Sequence, residues 1–131
     1  MRYLLLIYTA ESAEAPPPDE ADVMNTAYAE FTRDVRDRGL YEAGEALHPT
    51  SSATTVRVQA GQIVTTDGPF AETKEALGGF YLINAKDLDE AIETAAKIPA
   101  AKHGSVEVRP IWEFAAEETD GSSTETVGAA G

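Results

Sequence analysis

Runs of apolar residues change their period along this chain, and the changes mark out its elements. Met1 to Tyr8 reads MRYLLLIY, an unbroken apolar run. A strand apolar on both sides needs cover on both faces. From Asp19 to Arg38, Val23, Met24, Ala27, Phe31 and Val35 recur at helical spacing on one face. Pro18, Asp19, Glu20 and Asp22 suit the start of that helix, where its dipole favours acids. Arg33, Arg36 and Arg38 suit its last turns, and Gly39 suits a left-handed stop. The stretch Glu11 to Pro18 ends in Pro16-Pro17-Pro18 and reads as a stiff loop ahead of the helix. Leu40 to Leu47 is a candidate second strand, broken by Pro49.

Thr54 to Thr66 reads TTVRVQAGQIVTT, and Ala60-Gly61 interrupts its β-branched residues. That pattern predicts a hairpin. Asp67-Gly68-Pro69 then forces a turn. Gly79 to Asn84 is another strand apolar on both sides. Asp87 to Lys97 is a helix: Asp87 and Glu90 form a capping-box-like pair, Leu88, Ala91, Ile92 and Ala95 share a face, and Pro99 ends it. Val106 to Phe114 alternates, with Val106, Val108, Pro110, Trp112 and Phe114 opposing Glu107, Arg109, Ile111 and Glu113. Pro110 cannot donate to a ladder, so this strand lies at an edge or breaks there.

Set the hairpin aside and the order is strand, helix, strand, strand, helix, strand. That is the α+β, ferredoxin-like split βαβ arrangement, with both helices on one face of an antiparallel sheet. Two helices leave the other face bare, yet Leu4–Ile7 and Phe80–Ile83 are apolar on both sides. A second copy offering the same face is the economical cover. The expectation is a homodimer, a dimeric α+β barrel with an inserted β-hairpin in each subunit.

Composition narrows the chemistry. The 131 residues fit one domain. Ten Lys and Arg against 23 Asp and Glu give a net charge of −13. Such a balance argues against direct nucleic-acid binding and against an anionic membrane surface. Zero cysteines exclude disulfides, a Cys nucleophile and thiolate metal sites. The run Leu4–Ile7 is too short for a signal-peptide core or a spanning helix, so the chain reads as soluble and cytoplasmic. Residues 115–131 hold Glu117, Glu118, Asp120 and Glu125, no basic residue, and Val127 as their one sizeable apolar side chain. They read as a disordered acidic tail behind a domain of residues 1–114. None of GxGxxG, GxxxxGK[ST], HExxH or GxSxG is present. Two histidines 55 positions apart and no Cys exclude a His/Cys metal site. Carboxylates with one His remain open, and neither metal nor cofactor is assigned.

The densest local feature is Asp67 to Gly79, DGPFAETKEALGG, a turn with a buried-looking Phe70, three acids (Asp67, Glu72 and Glu75), Lys74 and paired glycines. DGPF, then E-x-K-E, then L-G-G-F-Y resembles the DGPF branch of the YCII-related proteins. RYLLLIY at the start, ATTVRV at Ala53–Val58, DLDEAIE at Asp87–Glu93 and VEVRPI at Val106–Ile111 resemble that branch too, in order and from Met1 to Phe114. The resemblance implies a ferredoxin-like subunit in a dimeric α+β barrel and an active-site cleft, with a His–Asp pair in some branches. A distant relative is associated with dehydrochlorination of an aromatic ring. DGPF proteins are often encoded beside extracytoplasmic-function sigma factors, which implies an alternative, non-enzymatic accessory role with a sigma factor as partner.

Within this frame Asp67 is the leading candidate for a general acid or base, held by the Gly68-Pro69 turn. Its alternative role is an Asx-turn bonded to the backbone ahead. His48, before Pro49, can partner it, as can His103 in its Lys102–Gly104 loop; an exposed loop histidine without a role is the alternative for each. Lys74 can hold an anionic or phenolic small-molecule substrate, or belong with Glu72 and Glu75 to a solvated helical turn. Arg109 can clamp a carboxylate in two-pronged fashion, or pair with Glu107 or a cross-strand acid. Tyr81 is a further substrate contact, with the core or a dimer interface as its alternative.

Overall fold

A computed structural model describes residues 1–12 and 15–114. The expectation of an acidic tail falls on residues 115–131, outside the described residues. Strand β1 (Arg2–Thr9) leads to helix α1 (Pro18–Asp37), then β2 (Tyr41–Ala46). The hairpin β3 (Thr54–Gln59) and β4 (Gln62–Asp67) follows, and β5 (Ala76–Asn84), α2 (Leu88–Ala96) and β6 (Ser105–Pro110) complete the chain. A four-stranded antiparallel sheet runs β2-β5-β1-β6, while β3 and β4 form a separate two-stranded sheet. Without the hairpin, this α+β order matches the ferredoxin-like split βαβ arrangement. No helix among the described residues is long and apolar enough to cross a membrane.

Alternation sorts the central strands into two faces. Tyr3, Leu5 and Ile7 of β1, with Tyr81 and Ile83 of β5, are buried with Phe31 and Val35 of α1 and Ala91 and Ala95 of α2. Leu4, Leu6, Phe80 and Leu82 point the other way and are only half-buried, with no helix over them. Both helices therefore cover one face, as the element order predicts.

Local signals set the boundaries. The Asp87 carboxylate accepts from the Glu90 N–H at 2.9 Å, and Glu90 reaches back to the Lys86 N–H at 2.8 Å. Two donors that the first turn leaves unpaired are thereby satisfied. Asp87→Ala removes one of them and should cost about 1 kcal/mol, read as a lower melting temperature with the circular dichroism of the fold retained. Ala60 and Gly61 both have positive φ, 50° and 77°, the pairing that a two-residue hairpin turn requires. Gly39 leaves α1 at φ 73°. Gly104 is small for a different reason: a Cβ there would lie 2.3 Å from the Tyr8 carbonyl oxygen. Backbone, not a flexible side chain, is in the way, so Gly104→Ala should shift the β6–β1 pairing and lower the melting temperature by several degrees.

Two expectations are corrected. Val23 and Met24 are exposed, and the buried face of α1 narrows to Phe31 and Val35 in its second half. On α2, Leu88 and Ile92 are exposed, while Thr94 occupies the core with its hydroxyl donated to the Glu90 carbonyl at 2.7 Å. As expected of Pro110, the last strand lies at the sheet edge and stops there, where the ring cannot donate; Trp112 beyond it is 82% exposed and stacks on Phe114 at 6.1 Å.

Candidate functional site

Two connections meet around a cleft of about 1050 Å³, at the upper end of the range for small-molecule sites. The β2–β3 connection brings His48, Pro49 and Thr50; the β4–β5 connection brings Asp67 through Lys74. Glu11, just past β1, closes a third side, and Leu47, Phe70 and Leu77 supply apolar wall.

Asp67 is the last residue of β4, opposite Thr54. Gly68 follows at φ 96°, a conformation side chains rarely adopt, and donates its N–H to the Ala53 carbonyl at 2.7 Å. Its own carbonyl accepts from the Thr55 hydroxyl at 2.8 Å. The turn is thus fixed by backbone groups, while the Asp67 carboxylate has no hydrogen-bond or ion-pair partner among the described residues. The Asx-turn lacks its bond, and the carboxylate stands exposed at the cleft. Phe70 is not buried as its place in the sequence suggested: it is 79% exposed at the rim, because nothing in the β4–β5 connection folds over it.

His48 is placed by the sheet. The Leu47 N–H donates to the Gly78 carbonyl at 2.9 Å, extending the β2–β5 ladder by one residue, and the chain then leaves the sheet. Pro49 starts a 3-10 turn at Thr50–Ser52. Lys74 lies in an irregular segment rather than a helical turn. Next to it, Glu75 is pinned by the Ser105 hydroxyl at 2.8 Å, which ties the connection to β6. Lys74 itself is exposed and unpaired among the described residues.

Asp67, His48 and Lys74 therefore share one cleft. Arg109 and Tyr81 do not line it. Arg109 sits opposite Leu4 on β6, on the uncovered face of the sheet, and forms no ion pair among the described residues, with Glu107 or any other acid. Tyr81 faces the helices: its ring meets Phe31 edge-on at 4.9 Å, and its hydroxyl lies 2.8 Å from the Thr32 hydroxyl. His103 ends the Pro99–Lys102 turn, also away from the cleft. Among the described residues, no group of three His, Asp or Glu side chains is arranged to hold a metal ion.

One cleft residue carried no signal in the sequence. The Glu11 carboxylate accepts from the Thr50 N–H at 2.9 Å and from the Thr50 hydroxyl. Those two donors hold its pKa below the ordinary glutamate value. Across the molecule, Arg2 grips Glu113 through two nitrogens, each 2.9 Å from a carboxylate oxygen. That bond raises the guanidinium's pKa and lowers the carboxylate's.

A small α+β domain with one open sheet face, and a cleft built by loops flanking an inserted hairpin, is the class that these features define. The family model of the YCII-related domain matches residues 1–115, and the chain belongs to that family. It is 42% identical over 115 residues to an uncharacterised protein of Rhizobium meliloti (strain 1021), covering 85% of this chain and 92% of that one.

Proposed function

We propose that the protein is a small homodimeric enzyme that turns over a phenolic or anionic organic molecule in this cleft without a cofactor. Asp67 acts as the general acid or base, His48 shares the proton with it, and Lys74 places the substrate's negative oxygen. One observation supports this above the others: a carboxylate without a partner, an imidazole and an ammonium group line one cleft from two separate connections. Proton transfer by a positioned side chain needs a donor or acceptor free to exchange, and the Asp67 carboxylate is that group. With Arg109 outside the cleft, Lys74 is the one Lys or Arg among the described residues that line it. Three carboxylates, Glu11, Asp67 and Glu72, also line it. That balance favours a phenol, neutral until it gives up its proton, over a fixed carboxylate.

A screen of phenolic and small carboxylic compounds tests the proposal. Turnover of a phenol is the expected result, and Lys74→Ala should raise KM for it more than it lowers kcat. A wild type inert toward the whole set overturns the enzyme reading and leaves the accessory role as the alternative.

A further inference from the structure

We propose that Glu11 is a positioning residue of the cleft, clamping the end of β1 onto the arm that carries His48. Its carboxylate takes both donors of Thr50, the backbone N–H at 2.9 Å and the side-chain hydroxyl, across 39 positions of sequence. Thr50 opens the 3-10 turn two residues after His48. A helical turn begins with unsatisfied N–H groups, and an acceptor placed there fixes the chain that enters it. Pro49, whose ring holds φ at −57°, makes the link from Thr50 back to His48 stiff. Beyond Leu47 the ladder ends, so the Glu11 clamp and the Pro49 ring, with the Gly68–Ala53 bond further along the arm, hold the imidazole at the cleft. The consequence for turnover rests on the proposed function; the clamp does not.

The clamp is charge-assisted, which makes it acid-labile. Glu11 has its pKa lowered by the bonds themselves, so the clamp is complete near neutral pH and is lost as pH falls through that lowered value. The other titratable groups lining the cleft are His48, Asp67, Glu72 and Lys74, and neither His48 nor Lys74 forms an ion pair with Glu11.

Nuclear magnetic resonance of the full chain tests this without a ligand. In the wild type the Thr50 amide should follow a single carboxyl titration below the ordinary glutamate range. Glu11→Gln should abolish that titration, speed Thr50 amide exchange about tenfold, and shift the His48 ring resonances, with the Leu5 and Ile83 amides unmoved. Thr50→Ser, which keeps both donors, should behave as wild type; Thr50→Val, which keeps one, should fall between. His48 resonances and Thr50 exchange unchanged in both Glu11→Gln and Thr50→Val overturn the clamp, whatever the substrate screen yields. A failed screen with these shifts intact removes the proposed reaction and leaves the clamp standing.

Discussion

Asp67→Asn should give a folded protein that has lost about 10²–10⁴-fold in kcat on a phenolic substrate. The amide is the same size as the carboxylate and cannot exchange a proton. Stability should barely move, because the carboxylate is exposed and bonds nothing among the described residues. The turn should also survive, since the Gly68 N–H, the Gly68 carbonyl and the Thr55 hydroxyl hold it without the Asp67 side chain. Melting temperature and steady-state rate on the same preparation separate the two effects. An Asn variant with full activity sinks the catalytic role. Asp67→Ala should match the Asn variant in stability, for there is no side-chain bond to lose.

A glutamate at Leu82 should split the proposed dimer. Leu82 lies between Leu4 and Ala43 on the face that neither helix covers, with Leu6 and Phe80 beside it. Face-to-face packing of two such sheets would bury these side chains, as the unbroken apolar runs of β1 and β5 require. A carboxylate there would be buried without a partner and would meet its symmetry mate, at a cost of several kcal/mol. Light scattering at micromolar concentration should give twice 14.0 kDa for the wild type and 14.0 kDa for Leu82→Glu. A wild type that stays folded at the single-chain mass refutes the dimer.

Element order was legible in the sequence wherever a single residue type does a single local job. Asp87 with Glu90, Ala60-Gly61, Gly39 and Pro110 each fixed a boundary that the structure keeps. Facing was harder to read. In GFYLIN both sides are apolar, so nothing in the run says that Tyr81 turns to Phe31 and Thr32 while Phe80 and Leu82 turn away. Arg109 shows the same limit: its opposition to Val108 was readable, but which of the two sides lines a cleft was not, and that side turned out to be the open sheet face. Helical spacing likewise could not tell Val23 from Val35, because spacing marks a face of α1 and not which of its turns reaches the core. Within the site, Asp67, His48 and Lys74 were each visible as residue types in loops. That they share a cleft is a tertiary fact, and the Glu11–Thr50 bond, 39 residues long, leaves no trace in local pattern.

The two-stranded sheet shares no ladder with the four-stranded one. Asp67 rides at the end of the first and His48 just past the end of the second. The Gly68 N–H bond to the Ala53 carbonyl ties the foot of the ribbon, where Asp67 sits, to the arm that carries His48, so the lean of the ribbon is a hinge coordinate about that foot. Swinging the ribbon breaks no strand pairing and opens no core. The lean of the ribbon can change with temperature, ionic strength or a bound molecule well before the domain begins to melt, while the foot that carries Asp67 keeps its place.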